Sequence, residues 1–275
     1  MVASAASAER GTAGSGRIPA YVAATIWLLV RLVRQTQRQP IWLVVTIIQP
    51  ILWLWLFGQL FRRVTEIPGF GATSYIEFLT PGIVIMTALF GSAWGGMGLI
   101  TEIDNGVIAR MLTTPVQRGA LITARQLNTA LNAVVQAFII LAVAYALGAR
   151  FPSGLAGILS SALAAGLLAA EFGALSTGIA LLARKEESVI AVINFITLPL
   201  NFLSPILMAA ALMPKWMRGV SRFNPVSWAV TATRASVAAH PAWGSIAGHD
   251  ALLLGLGIVL LGFATWTFRA YQRSL

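Results

Sequence analysis

The chain has 275 residues, of which 57% are hydrophobic and only 10% carry a charge, whereas about a quarter of the residues of a soluble domain are charged. Its net charge of +10 comes from basic residues scattered between apolar runs, and without a basic stripe this argues against a nucleic-acid-binding protein. Cysteine is absent, which excludes disulfides, thiolate metal sites and cysteine nucleophiles. This composition predicts an all-α integral membrane protein with about six transmembrane helices, since one spanning helix needs about 20 apolar residues.

The first predicted elements are a tail and an amphipathic helix. Residues 1–19 are rich in Ala, Ser and Gly and are predicted to be disordered, without a cleavable signal peptide. Residues 20–39 place apolar side chains on one face of a helix and Arg31, Arg34 and Arg38 on another. A basic polar face is typical of an interfacial helix that lies in the plane of the membrane surface. The alternative is that this helix extends the first span.

Residues 40–275 are predicted to form the transmembrane domain, and its first three spans are residues 41–61, 78–100 and 121–147. Pro50 is expected to kink the first span. The second span carries five glycines, and small residues permit close packing of helices in a membrane. The first half of the third span is not expected to face lipid, because it contains Arg125, Gln126, Asn128, Asn132 and Gln136.

The last three spans are predicted at residues 155–183, 188–213 and 251–268. The fourth span is long enough to tilt or kink, and Pro199 and Pro205 interrupt the fifth. The segment 214–250 precedes the last span and mixes aromatic with polar residues. We interpret this segment as short interfacial or re-entrant helices.

The distribution of basic residues predicts the orientation of the chain. Six spans place both termini on the same side of the membrane, and cytoplasmic loops are enriched in basic residues. With cytoplasmic termini, the inner segments hold 12 basic residues and the outer segments hold seven. We therefore predict a multi-pass protein of the cell membrane with both termini in the cytoplasm.

The sequence contains no pattern typical of nucleotide binding or catalysis. A phosphate-binding loop needs Gly-x-x-x-x-Gly-Lys-Ser/Thr, and neither of the two lysines, Lys185 and Lys215, follows a glycine. His240, His249 and Asp250 are candidate zinc ligands. Because their spacing in the sequence does not bring the three side chains together, we interpret them as loop residues. We predict a transport subunit rather than an enzyme, with no catalytic, cofactor or metal site of its own.

Glu171 is the one acidic residue near the middle of a predicted span. An ionisable side chain inside a membrane is costly and is by default a candidate functional residue. Three interpretations are open: Glu171 lines a pathway, pairs with an arginine of another helix, or carries protons. The third would make the chain a proton-coupled secondary efflux transporter that works without an ATPase.

The most informative stretch of the sequence follows the second span, at residues 102–118. Acidic residues open it, and a short helix is predicted whose shared apolar face consists of Val107, Ile108, Met111 and Leu112. A short amphipathic helix that projects from the membrane is suited to docking in a groove of another protein. A simple connecting loop would not need such a face.

This stretch resembles the membrane subunits of type-2 ABC exporters, the group that includes daunorubicin-resistance permeases and polysaccharide exporters. In that family an acidic opening and a glycine precede the pattern x-x-R-x-L-x-x-T-P-V-x-R. The matching residues are Gly106, Arg110, Leu112, Thr114, Pro115, Val116 and Arg118. The family's acid-basic-acid opening is here Glu102-Ile103-Asp104, without the central basic residue. A second resemblance, to an Asn-Pro…Arg pattern before the last span, rests on Asn224, Pro225 and Arg234.

The resemblance implies a homodimer or heterodimer of permease chains with two cytoplasmic ATPase subunits that bind ATP and Mg²⁺. The implied function is export of an amphipathic drug, lipid or glycan, and drug efflux, hence antibiotic resistance, is favoured over polysaccharide export. The expected partners are the ATPase, a second permease copy or a paralogue, the lipid bilayer and the transported molecule. The implied ATPase-coupling residues are Glu102, Asp104, Gly106, Arg110, Leu112, Pro115 and Arg118, with the interfacial helix and its Arg31, Arg34 and Arg38 beside the ATPase.

Overall fold

The computed structural model describes residues 17–38, 40–61, 63, 74–112 and 118–273, and these ranges contain eleven α-helices and no β-strand. The predicted all-α membrane fold is confirmed. The first 16 residues of the predicted tail lie outside the described part of the chain. In chain order the helices are α1 (Arg17–Gln37), α2 (Pro40–Leu60), α3 (Tyr75–Ala93), α4 (Gly95–Asp104), α5 (Val107–Leu112), α6 (Arg118–Ala146), α7 (Gly154–Ala183), α8 (Glu186–Phe202), α9 (Lys215–Ser221), α10 (Pro225–Val237) and α11 (Trp243–Gln272).

Four stretches of the described chain are long and apolar enough to cross a membrane. They are Tyr75–Asp104, Gly119–Ala146, Gly154–Ala183 and Trp243–Tyr271, which correspond to the second, third, fourth and last predicted spans. The remaining two predicted spans correspond to α2, with a shorter apolar part at Val45–Leu60, and to α8, with 17 residues. A helix of that length rises about 26 Å, which is close to the roughly 30 Å thickness of the hydrocarbon core.

Two of the predicted spans are shorter or more divided than the sequence pattern suggests. The sequence predicts one helix over 78–100, whereas a turn at Trp94 separates α3 from α4. It predicts a fifth span to residue 213, whereas α8 ends at Phe202. Pro205 explains this early end, because a proline disfavours the helical conformation of the residue before it.

The last helix is longer than the predicted span. The sequence predicts a span over 251–268, whereas α11 is 30 residues long and begins at Trp243. The polar residues before position 251 set the predicted start of the span. A helix can nevertheless continue through polar residues whose side chains form local hydrogen bonds. His249 illustrates this, since its Nδ1 lies 2.7 Å from the Ser245 backbone oxygen one turn earlier.

α7 is the central helix of the fold. It packs against α3, α4, α6, α10 and α11 and is buried along most of its length. Its sequence is rich in Ala and Gly, and such small side chains let neighbouring helices approach closely. By contrast, α2 and α8 lie at the edge of the bundle and expose large apolar side chains such as Trp55, Phe195 and Phe202.

Asn224 joins the start of α10 to the end of α8. Its Oδ1 accepts a hydrogen bond from the Val226 amide at 2.9 Å and caps α10. Its Nδ2 donates to the backbone oxygens of Leu200 at 2.7 Å and Leu203 at 3.3 Å. The last carbonyls of a helix have no partner within that helix, so this one side chain supplies hydrogen bonds at both helix ends.

Arg234 makes a second connection from α10. Its Nη2 donates to the Pro205 backbone oxygen at 2.9 Å, beyond the end of α8. Its guanidinium lies 4.1 Å from the centre of the Phe78 ring in α3, within the range of a cation–π interaction. The two polar residues of the Asn-Pro…Arg pattern therefore hold the segment before α11 against α3 and α8.

We expect Asn224→Ala to lower the free energy of unfolding by about 2 to 4 kcal/mol, because it removes a helix cap and leaves two partly buried carbonyls without donors. Thermal unfolding in lipid nanodiscs measures this. Asn224→Asp is the matched variant, since it keeps the acceptor that caps α10 and loses the donor to α8. A fully stable Asn224→Asp protein would show that the cap alone matters and that the bonds to α8 contribute little.

Candidate functional site

The break between α3 and α4 is bridged by Ser176 of α7. A broken helix in a membrane leaves backbone groups that need other hydrogen-bond partners. The Ser176 hydroxyl accepts from the Gly96 amide at 3.0 Å and donates to the Ala93 carbonyl. A Cβ atom at Gly96 would overlap the Ser176 carbonyl, so only glycine permits this contact. The position of α4 is therefore set by α7 across the break.

A tight turn at Asn105 and Gly106 joins α4 to α5. Gly106 has a φ of 66°, a left-handed conformation that favours glycine. Arg110 reaches back from α5, and its guanidinium donates to the backbone oxygens of Asn105 at 3.2 Å and Gly106 at 3.4 Å. Two residues of the predicted coupling segment, Gly106 and Arg110, thus shape the turn itself.

Ile108 connects this turn to the interior of the protein. Ile108, one of the four residues of the predicted apolar face, is 1% exposed and packs inside its own chain. Among the side chains that the structure describes at the turn, those of Asp104, Asn105 and Arg110 are exposed. Docking of the apolar face in another protein stays a prediction. The core cluster that contains Ile108 consists of Leu99, Leu121, Ile122, Ala174, Leu181, Ala264, Phe268 and Tyr271, so it draws on α4, α6, α7 and α11.

Glu102 and Arg125 form an ion pair between α4 and α6. Their side chains are only 13% and 11% exposed, so solvent screens their attraction less than it would at the surface. The sequence places Glu102 in the coupling segment and Arg125 in a polar half-span, without predicting that they meet. Two residues on different helices give no periodic signal that links them, and only the tertiary arrangement of the helices brings them together.

The structure describes only some of the other predicted coupling residues. Asp104 is exposed at the end of α4. Pro115 lies outside the described residues, and so do the side chains of Leu112 and Arg118. Within the described ranges, the segment therefore presents one ion-paired acid, one exposed acid and Arg110 around a single turn.

The basic residues of α1 face away from the bundle. Arg31, Arg34 and Arg38 are all exposed, and on the opposite face the Tyr21 hydroxyl lies 2.6 Å from the Thr123 hydroxyl of α6. α1 thus packs along α6 with its basic side chains outward. This arrangement suits the predicted location at the membrane surface, which stays a prediction.

Glu171 lies on the face of α7 that packs against α11. Its side chain is 1% exposed, and neither carboxyl oxygen has a hydrogen-bond partner among the described residues. A Cβ atom at Gly257 would lie 3.4 Å from its Cγ. Pairing with an arginine, one of the three interpretations of Glu171, is therefore not found within this part of the chain.

Comparison with known proteins agrees with this architecture. The family described as ABC-2 type transporter matches residues 23–237. A protein named transport permease ycf38, from Cyanophora paradoxa, is 31% identical over 217 residues, which cover 78% of this chain and 74% of the relative. The daunorubicin resistance ABC transporter permease protein DrrB1 of Streptomyces coeruleorubidus is 26% identical over 257 residues, which cover 92% of this chain and 87% of the relative.

Proposed function

This chain belongs to the ABC-2 type transporter family, and from that premise we propose that it is the membrane subunit of an exporter driven by a separate ATPase. Two ATPase subunits, which bind ATP and Mg²⁺, act on two permease chains, either two copies of this one or this chain and a paralogue. The cargo is an amphipathic drug, lipid or glycan that leaves the cytoplasm across the cell membrane. The name of the relative DrrB1 supports a drug as cargo.

The observation that carries this proposal is the route from the exposed α4–α5 turn into the bundle. Asp104 and Arg110 lie at the surface of the turn, where a partner can contact them. Ile108 beside them is packed in a core cluster shared with α6, α7 and α11. Force applied at the turn would therefore move those helices rather than a free loop.

Two further contacts would direct such a movement. The Glu102–Arg125 pair holds the end of α4 against α6, so both helices would move together. The break at Trp94 lets α4 change its angle to α3 without stretching a continuous helix. ATP-driven closure of the partner would in this way alter the packing between α3 and α6.

A proton-coupled mechanism is the second candidate, and the buried carboxyl of Glu171 is the observation that favours it. Such a transporter would work without an ATPase. The Glu171 carboxyl lies where α7 packs against α11. The two candidates therefore differ in whether a partner ATPase is needed.

The deciding experiment is purification from native membranes through a tag on this chain, followed by an ATPase assay of the eluate. We expect the wild type to retain a P-loop ATPase. Asp104→Lys and Arg110→Glu should reduce the retained activity at least about tenfold, because reversing charges at an interface opposes binding.

Arg222→Glu is the matched control, since Arg222 is also exposed but lies between α9 and α10, at the opposite end of α8 from the turn. It should retain the wild-type amount of ATPase. A wild-type eluate without any ATPase would sink the exporter proposal and turn attention to proton flux through Glu171. Equal losses in all three variants would show that charge reversal acts through folding instead.

A further inference from the structure

A polar cavity of about 230 Å³ lies between α1, α3–α4 and α6. Leu32, Gln35 and Thr36 of α1 line it on one side, and Gly91, Gly95 and Gly98 line it across from them. The glycines leave open space because they carry no side chain. The cavity extends to the Glu102–Arg125 pair, and Glu102 lies in the last turn of α4, just before the α4–α5 turn.

The third wall of the cavity is a row of amides on α6. Asn128, Asn132 and Gln136 recur every four residues, so they lie on one face of the helix and extend over about 12 Å. No hydrogen bond joins these three side chains to other described residues. The Oδ1 of Asn128 is buried without a partner, and so is the Nε of Arg125.

A buried polar atom without a partner, such as Asn128 Oδ1, is costly inside a membrane protein, and a polar ligand in the cavity would satisfy it. The charges at the cavity favour an uncharged ligand. Glu102 and Arg125 are its charged lining residues, and they are paired with each other. An ionic head would therefore meet no uncompensated opposite charge, whereas hydroxyl and carbonyl groups would find both donors and acceptors among the amides.

The neighbouring face of α6 is apolar and exposed. Leu127, Leu131, Val135 and Phe138 are all exposed, and helical geometry places them beside the row of amides. In a membrane this exposed ridge would be accessible to acyl chains. A molecule with a polar head in the cavity could thus keep its apolar body in the lipid along the same helix.

We propose that this cavity binds the uncharged, hydroxyl- or carbonyl-bearing head of an amphipathic molecule, whose apolar body lies along the Leu127–Phe138 ridge of α6. The inference does not depend on the exporter proposal, since binding requires neither ATP nor an ATPase. The same chemistry could come from a resident membrane lipid or from a transported molecule.

Photo-crosslinking in vesicles tests this binding directly. The probe is a glucosyl diacylglycerol that carries a diazirine beside the sugar, and its counterpart is a phosphatidylglycerol with the same diazirine and acyl chains. We expect the glucosyl probe to label α6 and α1 of the wild type several-fold more than the anionic probe. Asn132→Leu removes central donors and acceptors, and it should lower labelling about tenfold.

Two further variants keep the test independent of folding. Gly91→Leu adds a side chain into the cavity, where its Cβ would meet only Gln136 Oε1 at 3.5 Å, and should lower labelling without removing an amide. Gln59→Leu removes an exposed amide of α2 outside the cavity and should label like the wild type. Equal labelling of wild type, Asn132→Leu and Gly91→Leu, or a preference for the anionic probe, would overturn the proposal.

The source of the ligand follows from native mass spectrometry of the purified protein. A lipid that stays bound to the wild type and is lost in Asn132→Leu identifies a resident lipid. If the probe labels the site in vesicles but no ligand stays bound through purification, the ligand exchanges, as expected for a transported molecule. Both results require binding in the cavity, so both support the inference.

Discussion

Gly96→Ala is expected to destabilise the protein by about 2 to 4 kcal/mol, although alanine normally favours a helix over glycine by about 1 kcal/mol. The added Cβ would overlap the Ser176 carbonyl and hydroxyl. Either α4 moves away from α7, or Ser176 loses its bonds to the two ends of the helix break. Thermal unfolding in lipid nanodiscs and the monodisperse fraction after purification measure the loss.

Gly98→Ala is the matched control two residues along the same helix. Gly98 is exposed, and a Cβ there would meet nothing within 4 Å. This variant should therefore be as stable as the wild type or slightly more stable, by up to about 1 kcal/mol. The two substitutions are chemically identical, so opposite signs would assign the effect to the Ser176 contact. Equal stability of both variants would contradict the bridging role of Ser176.

Arg125→Glu is expected to cost about 3 to 5 kcal/mol, enough to remove most of the folded protein. It would place two carboxylates against each other at a site where the native side chains are only 13% and 11% exposed. Removing one partner of a partly buried pair leaves an uncompensated charge, which costs more than losing the attraction alone. Yield of monodisperse protein and the unfolding temperature are the readouts.

The double variant Glu102→Arg with Arg125→Glu separates pairing from other effects of the charge. It restores opposite charges with their positions exchanged, and we expect it to recover at least half of the lost stability. If the double variant were as damaged as Arg125→Glu, the pair would not be what holds α4 against α6.

These contacts share one helix. α4 is held by Ser176 at its start, by Arg125 near its end and by Ile108 just beyond the turn. Under the proposed function, a partner that pushed on the turn would act on a helix of ten residues with defined attachments. The polar cavity lies along the same segment, so its shape would change with the position of α4.

Much of the fold was predictable because the signals are local. Long apolar runs predicted the helices now seen at Gly119–Ala146 and Gly154–Ala183 within a few residues. The break at Trp94 was not predicted, since the glycines around it are equally compatible with a continuous, closely packed helix. The end of α8 was placed too late because its apolar pattern continues past the residue where Pro205 stops the helix.

The sequence by itself determined that the chain is an all-α membrane protein and where most of its long apolar helices lie, since composition and helical period are properties of neighbouring residues. Only the tertiary structure decided what those residues contact. Glu102 meets Arg125, Gly96 meets Ser176, and Asn224 meets Leu200, each pair joining two different helices. Such contacts depend on how whole helices pack, and no local pattern of residues records that packing.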